Sequence, residues 1–320
     1  MDNLIFSLNA TLPIFLLMVL GYIFEKIGII DQKAASWMNK FVFKIALPVL
    51  LFNDLSTQDF AGTWDGKFVL FCFAATIISI SVITIFSKII IKDNSKRGEF
   101  IQGSYRSSAA LLGIAFIHNI YGESNSGMAP LMILGSVPLY NIFAVIILTL
   151  TAPKENADNS DKKALVKDTI IGILKNPIIL GILCGMIWSV LKIPMPKFFR
   201  SVTSSVAALA TPIGLMSMGA TFEIKKAAKE IKPALLASFI KLFLLVAIIM
   251  PIAVGVGFVG EQIVAILVML GSATTVSCYI MAKSMGHEGT LSSSIIMMTT
   301  LGCGFSLTFW LYILKSIGII

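Results

Sequence analysis

Four basic residues lie inside or beside long apolar runs of this sequence: Lys40, Lys44, Arg106 and Lys241. No Asp or Glu occupies the middle of any such run; Glu25 and Asp54 stand at run ends. An ion in hydrocarbon is costly and is retained where it faces a polar interior, and cations without carboxylate partners suit an anionic ligand. Lys241 lies roughly 13 Å from the start of its run at 1.5 Å per residue and is read as facing a cavity. Lys40 and Arg106, nearer to run ends, are read as snorkelling to the membrane surface.

The second chemical signal is a pair of hydroxyl-rich stretches. Gly103 to Ile117 is apolar enough to enter a bilayer, yet its first half holds Ser104, Arg106, Ser107, Ser108, Ala109 and, further on, Gly113. Adding 164 to each number carries Ser107-Ser108-Ala109-Ala110 onto Gly271-Ser272-Ala273-Thr274, followed by Thr275 and Ser277. The same offset carries Pro13 onto Pro177, Gly21 onto Gly185, and Ala46 and Pro48 onto Ala210 and Pro212. Small residues of this kind also serve close helix packing. A shared register over three helices nevertheless reads as an internal duplication, a mark of secondary transporters. Backbone at membrane depth can leave the helix only where it is buried in protein or lines a cavity, so both stretches are candidate breaks around one binding site.

Other chemistries find little purchase. Intramembrane proteases and prenyl transferases need paired acids in or beside the membrane, and zinc sites need clustered His, whereas only His118 and His287 occur. Ser107, Ser108, Ser272 and Ser277 have no base beside them, so they are read as hydrogen-bond donors rather than nucleophiles. Cys72, Cys184, Cys278 and Cys303 fall singly in apolar runs, without metal-ligand spacing. Neither a catalytic group, a metal nor a cofactor is therefore expected.

The elements that must position these residues are membrane helices. Apolar residues make up 57% of the 320 and charged residues 13%, with a mean hydropathy of +0.90, so the bilayer is the solvent. The net charge of +8 comes from lysines in short loops, which excludes a nucleic-acid face and points to membrane orientation. Ten spans are predicted, near 4–24, 36–55, 67–91, 100–118, 128–150, 175–192, 199–220, 233–258, 262–283 and 290–316. The first is expected to be retained rather than cleaved as a signal peptide, because no positive residue precedes Lys26.

A polar linker at 151–175 divides a first repeat, 1–150, from a second, 176–320. Five spans is an odd number, so the second repeat must enter the membrane in the opposite sense, which makes the fold a 5+5 inverted repeat. Lys and Arg gather on one side, including Lys26, Lys33, Lys88, Lys96, Lys163, Lys226 and Lys283, against Lys67, Lys192, Lys197, Arg200 and Lys315 on the other. That side is expected to be cytoplasmic and both termini external. Pro48 and Pro212 sit deep in spans two and seven as matched helix kinks.

The ordered motifs resemble the auxin efflux carrier family of membrane transporters, in its bacterial malate and malonate permease branch. They are Asn39-Lys40-Phe41-Val42-Phe43 with Ala46-Leu47-Pro48, Arg106 to Gly113, Val137-Pro138-Leu139-Tyr140-Asn141, Asn176-Pro177, Pro212 to Ala220, Lys241, and Tyr279 to Ala282. The resemblance covers nearly the whole chain. It implies an all-α polytopic fold like the bile acid symporters, with spans four and nine broken and crossing near the midplane. Spans one, two, six and seven would form a scaffold, and spans three to five and eight to ten a moving transport domain. It also adds Asn141 to the substrate-binding set. The family usually has Asn where Ser108 stands and Pro where Ala115 stands.

Taken together, the expectation is a secondary active transporter of a small organic anion, a carboxylate such as malate or malonate, working by elevator-like alternating access in a bacterial plasma membrane. The anion and the lipid bilayer are the expected partners, with H+ or Na+ as candidate coupling ions and a homodimer as a candidate assembly. The alternative is a membrane sensor or partner subunit that keeps the fold without transporting.

Overall fold

The four polar residues Asp31, Asp65, Asp93 and Asn176 each start a helix by accepting a backbone N–H in the first turn, from Ala34, Phe68, Ser95 and Ile178 respectively. Pro177 at the first helical position reinforces the last of these. The protein is a computed structural model that describes residues 13, 16–56, 64–109, 120, 128–152 and 175–320. The chain runs through α1 (16–26), α2 (Gln32–Ser56), α3 (Gly66–Ile90), α4 (Asn94–Tyr105), α5 (Met128–Thr151), α6 (Pro177–Val190), α7 (Lys197–Ala220), α8 (Ile231–Val256), α9 (Glu261–Gly271), α10 (Ser277–Ser284) and α11 (Thr290–Ser316). There is no strand among the described residues.

Six of these helices, α2, α3, α5, α7, α8 and α11, are long and apolar enough to cross a bilayer. The described residues are therefore all-helical, as in a polytopic membrane protein. Most of the expected first span, the far half of the fourth and the linker fall outside the described residues, as do Gly113 and His118. Large apolar side chains such as Leu70, Ile78, Ile85 and Ile89 stand exposed along α3, as a lipid-facing helix requires.

The two prolines interrupt their helices in the same place. Proline has no N–H to offer the carbonyl four residues back, and its ring crowds that carbonyl. In α2 the chain widens into a π-helical turn at Val42–Ala46, just before Pro48. In α7 it breaks at Leu209, between Lys197–Ala208 and Ala210–Ala220, just before Pro212.

Glycines let these helices touch backbone to backbone. Gly181 and Gly185 of α6 abut the carbonyls of Pro48 and Phe52 in α2, and a Cβ at either would collide with them. Gly21 of α1 abuts the Met216 carbonyl of α7 in the same manner. The offset of 164 maps the Gly21–Met216 pair onto Gly185–Phe52, so the repeated residues make a repeated contact. A second group gathers α3 with α4 and α5, and α8 with α9 and α11. Gly135 lets α5 approach α3, and Gly103 lets α4 approach Ile295 of α11.

Residues assigned to one membrane side by their loops meet at one end of the bundle. Lys96 is paired with Glu230, and His287 is bonded to the Ser95 carbonyl at 2.7 Å. At the other end Gln262 donates to Asp65 at 2.7 Å and Lys67 to the Val256 carbonyl at 2.8 Å.

Candidate functional site

The site forms where two helices stop short inside the bundle. Helix α4 ends at Tyr105, and Arg106 turns to an extended conformation with ψ of 131°. Helix α9 ends at Gly271, Ser272 is extended with ψ of 164°, and the chain re-enters a helix only at Ser277. Small and hydroxyl residues at 106–109 and 271–277 offer the helix little side-chain packing and supply alternative hydrogen bonds.

The released backbone groups of one break are satisfied by the other. Ser108 N donates to the Ala273 carbonyl at 2.9 Å, Thr274 Oγ1 to the Gly103 carbonyl at 2.8 Å, and Gln102 Nε2 to the Cys278 carbonyl at 2.8 Å. Ser107 Oγ closes onto the Met269 carbonyl, which also accepts from Tyr140 Oη at 3.1 Å. With several kcal/mol at stake for each unmet backbone group in hydrocarbon, neither break could persist alone.

Against these breaks lies a cavity of about 210 Å³, lined on one side by Arg106, Ser107, Ser108, Ala109, Tyr140, Asn141, Thr275 and Ser277, and on the other by Leu47, Leu50, Asp54 and Thr211. Its floor is thus built from the extended stretch after α4, from α5 and from the entry to α10, and its far wall from the kinked helices α2 and α7. The volume is room for about seven waters at ~30 Å³ each, enough for a short organic acid. An adjoining space of about 50 Å³ is lined by Ser108, Thr274, Thr275, Ser277 and Thr300.

Arg106 is the basic residue of the cavity, in a lining that also holds Asp54 on the far wall. Arg106 is only 2% exposed. One guanidinium nitrogen donates to Asn141 Oδ1 at 2.7 Å and Ser277 Oγ at 2.9 Å, and the other terminal nitrogen to Met281 Sδ at 2.9 Å. Its Nε has no partner, and no carboxylate pairs with it among the described residues. Asn141 is held in turn by donating to the Val137 carbonyl at 2.9 Å, and Ser277 Oγ by donating to Thr275 Oγ1 at 3.2 Å. A rigid, planar guanidinium fork fixed by neutral groups, on a residue that lines an open space, is suited to an anion.

The expected set divides at this point. Ser107, Ser108, Ala109, Asn141, Thr275 and Ser277 come together on the cavity, and Thr274 borders the adjoining space. Ser272 is fully buried away from the cavity lining with its hydroxyl unpartnered. Gly113 lies outside the described residues. Pro48 and Pro212 stand beside the wall rather than in it, next to the lining residues Leu47 and Thr211.

The two deep cations exchange the roles expected of them. Arg106 does not snorkel; its guanidinium is anchored on the cavity. Lys241 does not line the cavity but lies fully buried behind it, bonded to Ser107 Oγ and to the carbonyls of Tyr105 at 3.2 Å, Leu270 at 2.6 Å and Met269 at 3.5 Å. Lys40 and Lys44 are exposed on the bundle surface, in keeping with snorkelling. Asp54 and Tyr140 are lining residues that the sequence reading passed over. Asp54 sits one turn beyond Leu50 on the kinked helix, which is the signal that could have found it.

Comparison with known proteins fits this arrangement. The family described as membrane transport protein matches residues 6–311. The chain belongs to this family, the auxin efflux carriers. Among its relatives, a protein of Rhizobium meliloti named "Putative malonate transporter" is 25% identical over 322 residues, 96% of each chain. A protein of Methanothermobacter thermautotrophicus named "Uncharacterized transporter" is 19% identical over 309 residues, 96% of this chain and 98% of that one. The mouse "Lysosomal cholesterol signaling protein" is 26% identical over 235 residues, 68% of this chain but 27% of that larger protein. Membership of a transporter family implies a small-molecule substrate and a membrane environment.

Proposed function

We propose that the protein is a secondary transporter of a small organic anion, a short carboxylate of the malonate or malate kind. The observation that carries this is Arg106: a buried guanidinium with no carboxylate bonded to it among the described residues, fixed by Asn141 and Ser277, on a residue that lines a cavity sized for such an acid. The serines and Thr275 replace water around the ligand, and the first turn of α10 adds the favourable end of a helix dipole. The printed name of the Rhizobium meliloti relative supports the choice of acid.

The architecture of this reading is ten spans in two inverted five-helix repeats, with the far half of span four crossing span nine. The recurrence of the Gly21–Met216 contact as Gly185–Phe52 supports the repeat. In an elevator-like cycle α1, α2, α6 and α7 stay fixed while the group holding the breaks carries Arg106 and its ligand past the kinked wall. The lysine-rich end is cytoplasmic, the termini are external, and the membrane is the bacterial plasma membrane.

Uptake of radiolabelled malonate and malate into proteoliposomes tests the reading. Saturable uptake that competes with short dicarboxylates and is lost in Arg106→Gln is expected. Binding of neither acid by the folded wild-type protein would overturn it.

A further inference from the structure

Lys241 is not explained by an anion site. Its ammonium lies where two helices end: Tyr105 is the last residue of α4, and Met269 and Leu270 belong to the last turn of α9. Carbonyls at a helix C-terminus have no intrahelical donor and carry the negative end of the dipole. Here two such ends converge on one point inside the bundle, joined by Ser107 Oγ. Three carbonyls and a hydroxyl, all neutral and all oxygen, are the donor set that transporter half-helices offer a monovalent cation. No carboxylate among the described residues bonds to the ammonium, so nothing in the cage favours a divalent ion.

The lysine is aimed there by a local distortion. The chain of α8 widens into a π-helical turn at Ile240–Leu244, which re-aims the side chain at the second residue of the turn. The position equivalent by the offset of 164 is Ile77, within the uninterrupted helix α3. At that position the first repeat thus has neither a bulge nor a cation, and one ammonium serves both half-helix ends.

We infer that Lys241 is a built-in cation standing in a sodium-type site, and that the protein takes no free Na+ at this point because the chain already supplies the charge. The site is competent for Na+ once the ammonium is gone. This concerns ion occupancy of the folded protein and holds or fails whatever the substrate is.

Thermal melting of the purified full chain tests it, with NaCl compared against choline chloride at equal ionic strength. Lys241→Ala and Lys241→Ser leave a space leading to the cage, whereas Lys241→Met fills the space without a charge. The Ala and Ser variants should melt several degrees higher in Na+ than in choline, saturably, while wild type and Lys241→Met show no such gain. A sodium response in Ala and Ser no larger than in wild type overturns the inference. Failure of both to fold in sodium also overturns it, since Na+ should restore the missing charge. Wild-type stability in Lys241→Met would overturn it as well, because the cage would then need no cation.

Discussion

Arg106 and Lys241 are both basic residues sealed within an apolar bundle, at 2% and 0% exposure, and neither has a carboxylate bonded to it among the described residues. What separates them is the kind of oxygen each meets. Arg106 is held by side chains, Asn141 and Ser277, which belong to different helices and leave Nε over. Lys241 is consumed by backbone carbonyls at the ends of α4 and α9, with three N–H groups shared among four acceptors. A cation on side chains beside a cavity is available to a ligand, while one on helix ends is part of the frame. Burial and charge alone do not tell a binding group from a supporting one; the partner atoms do.

That contrast breaks most readily at Lys241. Lys241→Met should lower stability by about 2–4 kcal/mol, since buried carbonyls that lose their donor cost ~1–3 kcal/mol each and the relief from burying a charge offsets part of it. A melting curve in detergent reads this directly, and loss of ligand binding should follow only through unfolding. The mirror change, Arg106→Gln, should cost less, about 1–2 kcal/mol, since Asn141 and Ser277 lose a donor at the edge of a cavity where water can take its place. It should weaken binding of a short dicarboxylate by about 1.5–3 kcal/mol, or roughly ten- to a hundred-fold. Equal stability losses in the two variants would erase the distinction.

Most of the frame could be read without coordinates. Hydropathy located the long helices and the offset of 164 pointed to both interruptions and both prolines, whereas the helix starts set by Asp65, Asp93 and Asn176 were not read from the sequence. The site was half legible. Ser107, Ser108, Thr275 and Ser277 were visible as hydroxyls out of place in apolar runs. The roles of the two cations were not, because depth along a span was used as the guide and depth says nothing about rotation. Arg106 stands near the end of its apolar run, yet α4 stops there and turns its side chain inward. Lys241 stands deep, yet the π-helical turn points it to the back of the breaks. Asp54 was discounted as a span-end residue, although the kink before Pro48 swings that end of α2 along the cavity.

Ser108→Leu sharpens the comparison from the cavity side. Ser108 borders both the main cavity and the adjoining space, so a leucine there should cost about 1–3 kcal/mol of ligand binding by overpacking, with the protein still reaching the membrane. Full transport by this variant would move the binding site elsewhere.

The smallest expected effect is the most discriminating. The offset makes Ser108 and Ser272 equivalent, yet one lines the cavity and the other is fully buried with its hydroxyl unpartnered. Ser108→Ala should weaken anion binding by about 0.5–1.5 kcal/mol, the value of one hydrogen bond. Ser272→Ala deletes a hydroxyl whose desolvation nothing repays, so stability should hold or rise by up to about 1 kcal/mol. Binding by that variant should stay at the wild-type level. Titration of both with a labelled dicarboxylate decides the matter. Equal losses would mean that the two breaks contribute alike to the ligand, as the duplication alone suggests. A loss confined to Ser108 would mean that the two serines related by the offset have divided the work, Ser108 facing the ligand and Ser272 packing behind the cavity.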